Sequence, residues 1–483
     1  MSSLFNGVVW NSFSTGSSML FKFITIPILA RTLTPEDFGV VALCMTIILF
    51  FSFLGGNGGI SAALIAKANA NRLFWSSALI TNVLIGTLLS FIVFYFSSSI
   101  TSFLGSGNAS KYLAVLSIML PFQFAVDILA SKAISNFDFK LEAKVNLVSD
   151  VAGGICALIL ALNGFGAWAI VAQNIIVVGL KFIIFMIVYI NFFIFYVSIN
   201  KIKSLLNFSV VSVWVEISNA ITFQSPIFVS SKFDSIASSG YISVYSRIAA
   251  LPCDIILTAI SKVLYPLFSN FKKSEDSIFS FKCSIWVNSI VLIPILLFIS
   301  ANSEYISYVL LGENFSEYWT VLLFITLCRA IMIPTSIFNP FLKASGKISL
   351  LSKLFFLRSF LTVALSIPFT IYLGIDGLLY SLFITTVISF VFYVTKVCSA
   401  LNIKLKVFFK IINPAFISGG VIFLLTYIPV YVVDLSPTLS FIISFVLSFI
   451  SYFIVLFLYY PLLIKVRDID SMKHFFLKCK DFN

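Results

Sequence analysis

The sequence predicts an all-α integral membrane protein of about fourteen transmembrane helices, arranged as two six-helix parallel repeats followed by two further helices. Three observations predict it. The chain is 60% hydrophobic and only 10% charged, whereas soluble domains carry about 25% charged residues. Apolar runs of spanning length recur along nearly its whole length. Lys and Arg alternate strongly between successive loops, as the positive-inside rule requires.

The spans are placed by length, since about 20 mostly apolar residues cross a bilayer. The candidates are 7–30, 38–60, 73–96, 112–134, 145–163, 166–190, 205–230, 241–266, 280–301, 319–341, 351–373, 376–398, 411–433 and 438–462. The first carries Asn11, Thr15, Ser18, Lys22 and Thr25, whose steps of 4, 3, 4 and 3 form one helical stripe. A short polar hinge, Ala30 to Gly39, joins it to the almost purely apolar second span. The pattern returns in the seventh span, where Ser209, Ser212, Glu216 and Asn219 form a second stripe. The hinge Lys232 to Gly240 follows it.

Other landmarks repeat as well. Gly39 matches Gly240, Leu104-Gly105 matches Leu311-Gly312, and Asn163-Gly-Phe-Gly166 matches Gly374-Ile-Asp-Gly377. The offset drifts from about 201 to about 211, as loop insertions would make it. Six spans per repeat is an even number, so both repeats enter from the same side. The division expected is residues 1–200, residues 201–400, two extra helices in 401–465 and a tail in 466–483.

Charge sets the orientation. Loops after even-numbered spans, with the tail, hold 22 Lys and Arg residues, among them Lys67, Lys140, Lys201, Lys272, Lys343, Lys404 and Lys465. Loops after odd-numbered spans hold only Arg31, Lys111 and Lys232. Both termini are therefore expected in the cytoplasm. The formal charge of +12 follows from these loops and does not point to nucleic acid. Met1–Asn6 has no basic residue and the first apolar run has no convincing cleavage site, so no cleavable signal peptide is expected.

Several chemistries lack material. The seven cysteines are scattered without a C-x-x-C pair, and His474 is the only histidine. No metal site and no cofactor is expected. There is no nucleotide-binding glycine motif and no G-x-S-x-G. Gly55-Gly-Asn-Gly-Gly59 reads more readily as a hinge or packing site than as a phosphate cradle.

Ten charges lie within or at the margins of the spans: Lys22, Lys181, Arg247, Lys262, Arg329, Arg358, Asp127, Asp150, Glu216 and Asp254. Each costs about 2.5–3.5 kcal/mol at a helix centre, so each should face water or a protein interior. Lys262 and Asp150 read as residues near helix ends that snorkel. Lys181 and Asp127 stay open. Lys22 and Glu216 sit on the two polar stripes, and Arg247 and Asp254 share a face of the eighth span. These four, with Asn11 and Asn219, are read as lining a central cavity, against the alternative of structural ion pairs. Arg329 and Arg358 either join that cavity or brace the second repeat. Cations exceed anions, so the cavity should favour an anionic head group. Glu216 and Asp254 are the ion-coupling candidates.

The stretch Arg31-Thr-Leu-Thr-Pro-Glu-Asp-Phe-Gly-Val-Val-Ala-Leu43 resembles the first hairpin of the polysaccharide transporter family. These are O-antigen and colanic-acid unit flippases of the multidrug/oligosaccharidyl-lipid/polysaccharide exporter superfamily. Leu104-Gly105, Ser135-Asn-Phe-Asp-Phe-Lys140 and Gly164-Phe-Gly-Ala-Trp168 extend the likeness. The resemblance implies two six-helix lobes facing each other as a V around a cationic cavity. It implies a flippase of the bacterial inner membrane moving undecaprenyl-diphosphate-linked glycan for surface polysaccharide or lipopolysaccharide synthesis. Partners would be membrane lipids, that glycan lipid, and a polysaccharide polymerase and chain-length regulator. Competing readings are a lipid II flippase, a multidrug/cation antiporter and a membrane-embedded polymerase or ligase. An antiporter of organic cations should have an acidic cavity. An enzyme would need a large catalytic loop, and 302–318 offers about 17 residues without histidine.

Overall fold

We describe the protein from a computed structural model. The structure describes the backbone of residues 2–55, 64, 71–136, 138–270, 274–431 and 437–464. Within these, it describes side chains outside 2–15, 20, 53–55, 199–213, 258–270, 274–277, 427–431, 437, 456 and 458–464. The side chains of Asn11, Ser209, Ser212, Ser261 and Lys262, and residues 56–59 of the glycine-rich stretch, thus lie outside the described residues.

The described residues form helices and connecting turns, without a strand. In chain order the helices are Ser2–Thr32 (α1), Pro35–Gly55 (α2), Arg72–Phe103 (α3), Ser110–Ser117 (α4), Met119–Ser135 (α5), Phe139–Leu162 (α6) and Ala167–Tyr189 (α7). They continue with Ile199–Phe233 (α8), Ile236–Asn270 (α9), Ser274–Ala301 (α10), Ser303–Leu311 (α11), Glu313–Ser316 (α12), Trp319–Met332 (α13) and Phe338–Ala344 (α14). Ile348–Ala400 (α15), Leu405–Tyr431 (α16) and Pro437–Ile464 (α17) complete the helices of the described residues. Ten segments among the described residues are long and apolar enough to cross a membrane, or eleven if the bent α4–α5 pair is one span. All fall on expected spans.

Proline explains two interruptions. The expected span 112–134 bends by 44° between its two pieces. Pro121 lacks an N–H and its ring crowds the carbonyl of residue 117, just before the break. Pro334 likewise forces the tighter turn Ile333–Thr335 between α13 and α14. The expected spans 351–373 and 376–398 appear as α15, broken at Gly374 (φ 60°, ψ −141°).

The exterior is greasy: Phe91, Tyr95, Phe103, Leu162, Ile187 and Phe457 are all exposed. Such a surface suits lipid. Many buried Ser and Thr hydroxyls return their protons to the previous helical turn, as Thr222 does to Ser218, Thr326 to Leu322 and Thr370 to Ser366. That keeps polar groups satisfied where water is absent.

Before residue 190, α1 packs on α6, α6 on α7, and α3 on α5. After it, α8 packs on α15, α10 on α16, and α16 on α17. The two groups meet chiefly where α2 crosses α9 and leans on α8. Phe315 is buried there, with Phe38 of α2 edge-on at 5.8 Å and Tyr241 of α9 at 5.5 Å. Tyr245 donates to the Phe315 carbonyl.

The hinge before α2 is a capping box. The Asp37 amide donates to Thr34 Oγ1 at 3.2 Å, and Asp37 Oδ2 accepts from the Thr34 amide at 3.1 Å. The other oxygen of Asp37 accepts from the Ala167 amide at 3.0 Å, so one carboxylate caps both α2 and α7. It lies beside Gly166, which has φ +55°. Asp234 stands in the same way beside Gly374, which has φ +60°. The glycine equivalent to Gly166 is therefore Gly374, three positions earlier than the sequence pairing with Gly377.

Candidate functional site

On α1, the stripe turns toward α6 more than toward open space. Ser18 donates to Asp150 Oδ2, and Lys22 Nζ lies 2.9 Å from the same oxygen. The close approach is set by Gly154, one turn beyond Asp150, where any Cβ would meet the Phe21 ring at 2.4 Å. Asp150 is 8% exposed and Lys22 48%. This corrects the reading of Asp150 as a snorkelling end residue: it lies midway along α6 and partners Lys22. Lys181 of α7 lies within electrostatic reach of Asp150, Lys22 and Asp127. Asp127 accepts from Gln123 at 2.9 Å. The first helix group thus contains one connected charge network.

Lys22 also reaches toward the second group, since Asp254 of α9 feels its charge, and α1 touches α9. Asp254 is exposed. Arg247, two turns earlier on α9, is exposed yet ringed by protein, as a side chain on the wall of an open cavity would be. Among the described residues it forms no salt bridge.

Glu216 takes a different partner. Its Oε1 lies 3.2 Å from Lys343 Nζ at the end of α14. Lys343 reads in the sequence as a loop residue, and no local signal ties it to Glu216. Asn219, one turn on, lines a separate cavity of about 300 Å³ with Arg329 and Arg358. The structure therefore regroups the expected constellation: Asp254 lies in the field of Arg329 and, across the groups, of Lys22, Glu216 pairs with Lys343, and Asn219 shares a cavity with Arg329. Sequence reasoning missed Asp150, Lys181 and Lys343 as partners. It also missed Gln224 of α8, which accepts from Thr46 of α2 at 3.0 Å across the two groups. The Gly153-Gly154 pair was the one available signal of a helix approaching beside Asp150.

Two contacts tie the groups at the end bearing the α1–α2 and α8–α9 turns. Arg31 donates to the Val309 carbonyl on α11. Lys232 places Nζ 3.3 Å from the ring centre of Phe103 on α3. These are two of the three basic residues that depart from the loop-charge alternation.

No group of three or more potential metal ligands occurs among the described residues. Charge lines internal surfaces of a lipid-facing helical bundle, which is the arrangement of a multi-pass transporter. The fold agrees with two solved structures. A lipid II flippase MurJ in an inward closed conformation superposes with TM-score 0.77 at 19% identity, covering 94% of this chain and all of that one. An inward-facing multidrug resistance MATE family transporter of the MOP superfamily gives TM-score 0.60 at 16% identity, covering 80% of this chain and 95% of that one.

Sequence comparison narrows the class. The profile described as "Polysaccharide biosynthesis protein" matches residues 28–320. The succinoglycan biosynthesis transport protein ExoT of Rhizobium meliloti (strain 1021) is 31% identical over 347 residues, 70% of this chain and 69% of that protein. The chain belongs to this polysaccharide biosynthesis family of membrane transporters.

Proposed function

We propose that the protein is a flippase that carries undecaprenyl-diphosphate-linked oligosaccharide units from the cytoplasmic to the outer leaflet of the bacterial cytoplasmic membrane. The unit would feed O-antigen, capsule or exopolysaccharide synthesis. The observation that carries the reading is Arg247, an accessible cation inside the helical bundle without a salt bridge among the described residues. Lys22, half exposed on α1 where that helix touches α9, adds a second accessible cation. A glycan diphosphate cannot cross hydrocarbon unaided. A wet groove with exposed cations shelters its head while the polyprenyl tail stays in lipid.

The architecture we favour has fourteen spans with both termini cytoplasmic. The bent α4–α5 pair, the division of α15 at Gly374, and α1 and α8 beside the remaining helices support that count. Residues 1–200 and 201–400 would rock as two lobes, with 401–465 outside the repeat. The sequence offers no nucleotide site, so transport draws on a gradient or the membrane potential. Glu216, paired with Lys343, and Asp254, in the field of Arg329 and Lys22, are the coupling candidates. A polymerase and a chain-length regulator would consume the product.

Deleting the gene should trap lipid-linked glycan on the cytoplasmic leaflet and abolish the surface polymer. A deletion strain with normal polymer and sensitivity only to cationic drugs would favour the antiporter reading.

A further inference from the structure

Between α7 and α8 the chain leaves the helical state from Ile190 to Ser198. The stretch Asn191-Phe-Phe-Ile-Phe-Tyr-Val-Ser198 carries no charge and four aromatic rings. It is strapped across the start of α3. Arg72 donates to the Phe192 carbonyl and, at 2.8 Å, to that of Asn191. The Ile194 amide donates to Ser76 Oγ at 3.1 Å, and Ser77 donates to the Tyr196 carbonyl at 3.2 Å. Phe192 and Phe193 pack on the core around Trp75. Lys132, near the end of α5, places Nζ 4.3 Å from the Phe192 ring centre and 5.0 Å from that of Trp75. The segment is thus held in place, yet much of it stays uncovered. Phe195 is 95% exposed, and Ile190, Ile194, Tyr196 and Val197 are exposed as well.

Two demands fix where such a segment can lie. Non-helical backbone cannot face hydrocarbon, because its N–H and C=O groups would lack partners. Open water would leave a run of exposed apolar side chains unburied. The boundary between head groups and acyl chains meets both demands, and aromatic residues concentrate there. The position agrees, since the segment sits where α3 begins and α5 and α7 end. The surrounding charge selects the lipid. Arg72 and Lys132 touch the segment, Lys140 and Lys144 lie in the opening turns of α6 beyond the turn that follows α5, and Lys201 and Lys203 come next in the sequence. Asp138 and Glu142 are the acidic residues beside them on α6. Exposed rings among an excess of cations suit an anionic bilayer surface.

We infer that residues 190–197 are an interfacial anchor, which inserts Phe195 into a leaflet and gathers anionic phospholipid around it. The inference needs only a membrane-embedded chain and stands apart from the translocation reading.

The test replaces Phe195 by photoreactive 4-benzoylphenylalanine in the full-length protein. At a side chain this exposed, the larger ring displaces nothing. Phe91, exposed on α3, is replaced likewise in a control variant. Each is placed in nanodiscs of equal parts phosphatidylcholine and phosphatidylglycerol, irradiated, and weighed by intact-protein mass spectrometry. Position 195 should form lipid adducts in which phosphatidylglycerol exceeds its share of the bilayer about twofold or more. Position 91 should form lipid adducts that follow the bilayer composition. Raising the salt to about 1 M should bring position 195 to the composition of the bilayer while lipid adducts persist, and Lys132→Gln should lower the preference. The inference falls if position 195 yields no lipid adduct, or if its adducts follow the bilayer composition at low salt. It also falls if the preference survives high salt. The same variant irradiated in intact cells separates a lipid surface from a protein partner. Phospholipid adducts are expected there, and adducts to another protein in their place would make the segment a docking surface for that protein and overturn the inference.

Discussion

Gly39 and Gly240 face each other across the crossing of α2 and α9. A Cβ on Gly39 would lie 2.0 Å from the Ile236 carbonyl oxygen, and one on Gly240 would lie 1.9 Å from that of Pro35. One sequence offset relates both contacts, so each glycine does for its neighbour what the other does in return. Backbone meets backbone there, and no side chain can yield.

Gly39→Ala and Gly240→Ala should therefore each push the helix groups apart at this crossing. Overpacking costs about 1–3 kcal/mol where side chains can move, and more against backbone. We expect insertion to persist and surface polymer to fall strongly in either variant, at matched membrane abundance. Normal polymer with both alanines present would show that the crossing tolerates separation.

Lys22 has two roles with separable signatures. Removing it leaves Asp150 buried and short of its cation. Because Lys22 is half exposed, the loss should be nearer 1–3 kcal/mol than the full cost of breaking a buried pair. Asp150→Asn added to Lys22→Gln should restore part of the thermal stability in a double-mutant cycle. Polymer production should stay low, since the restored fold still lacks the cation.

Arg247 has no such structural partner to lose among the described residues. Arg247→Ala should keep membrane abundance near wild type while polymer drops sharply. Arg247→Lys should retain more activity than the alanine, because a diphosphate needs charge first and fork geometry second. Equal polymer in the alanine and lysine variants would remove Arg247 from the substrate path.

Arg31 and Lys232 bridge the two helix groups at one end. Replacing both by alanine should loosen that end. A cysteine placed at Lys22 should then react several-fold faster with an impermeant maleimide applied outside intact cells. An unchanged rate would mean that the glycine crossing alone closes this end.

Topology can be checked with the same reagent. Cysteines introduced at Ser106 and Asn314 should label from outside, and one at Ser274 should be protected until the membrane is opened. The reverse pattern would invert every inside and outside assignment.

The sequence by itself determined the solvent of this protein, the position of its apolar helices and several landmarks of its internal repetition. Hydropathy, proline and positive-φ glycine act within a few residues, so these features are legible locally. Leu104-Gly105 and Leu311-Gly312 each bring a positive-φ glycine to a helix end, with φ +75° and +79°. Tertiary structure alone decided which charge meets which. Asp150 found Lys22, Glu216 found Lys343, and Arg329 joined Arg358 around its own cavity. A helical stripe tells which residues share a face. The neighbour that face meets depends on how helices distant in sequence cross, and here backbone contacts at Gly39 and Gly240, and the Phe21 ring against Gly154, set those distances.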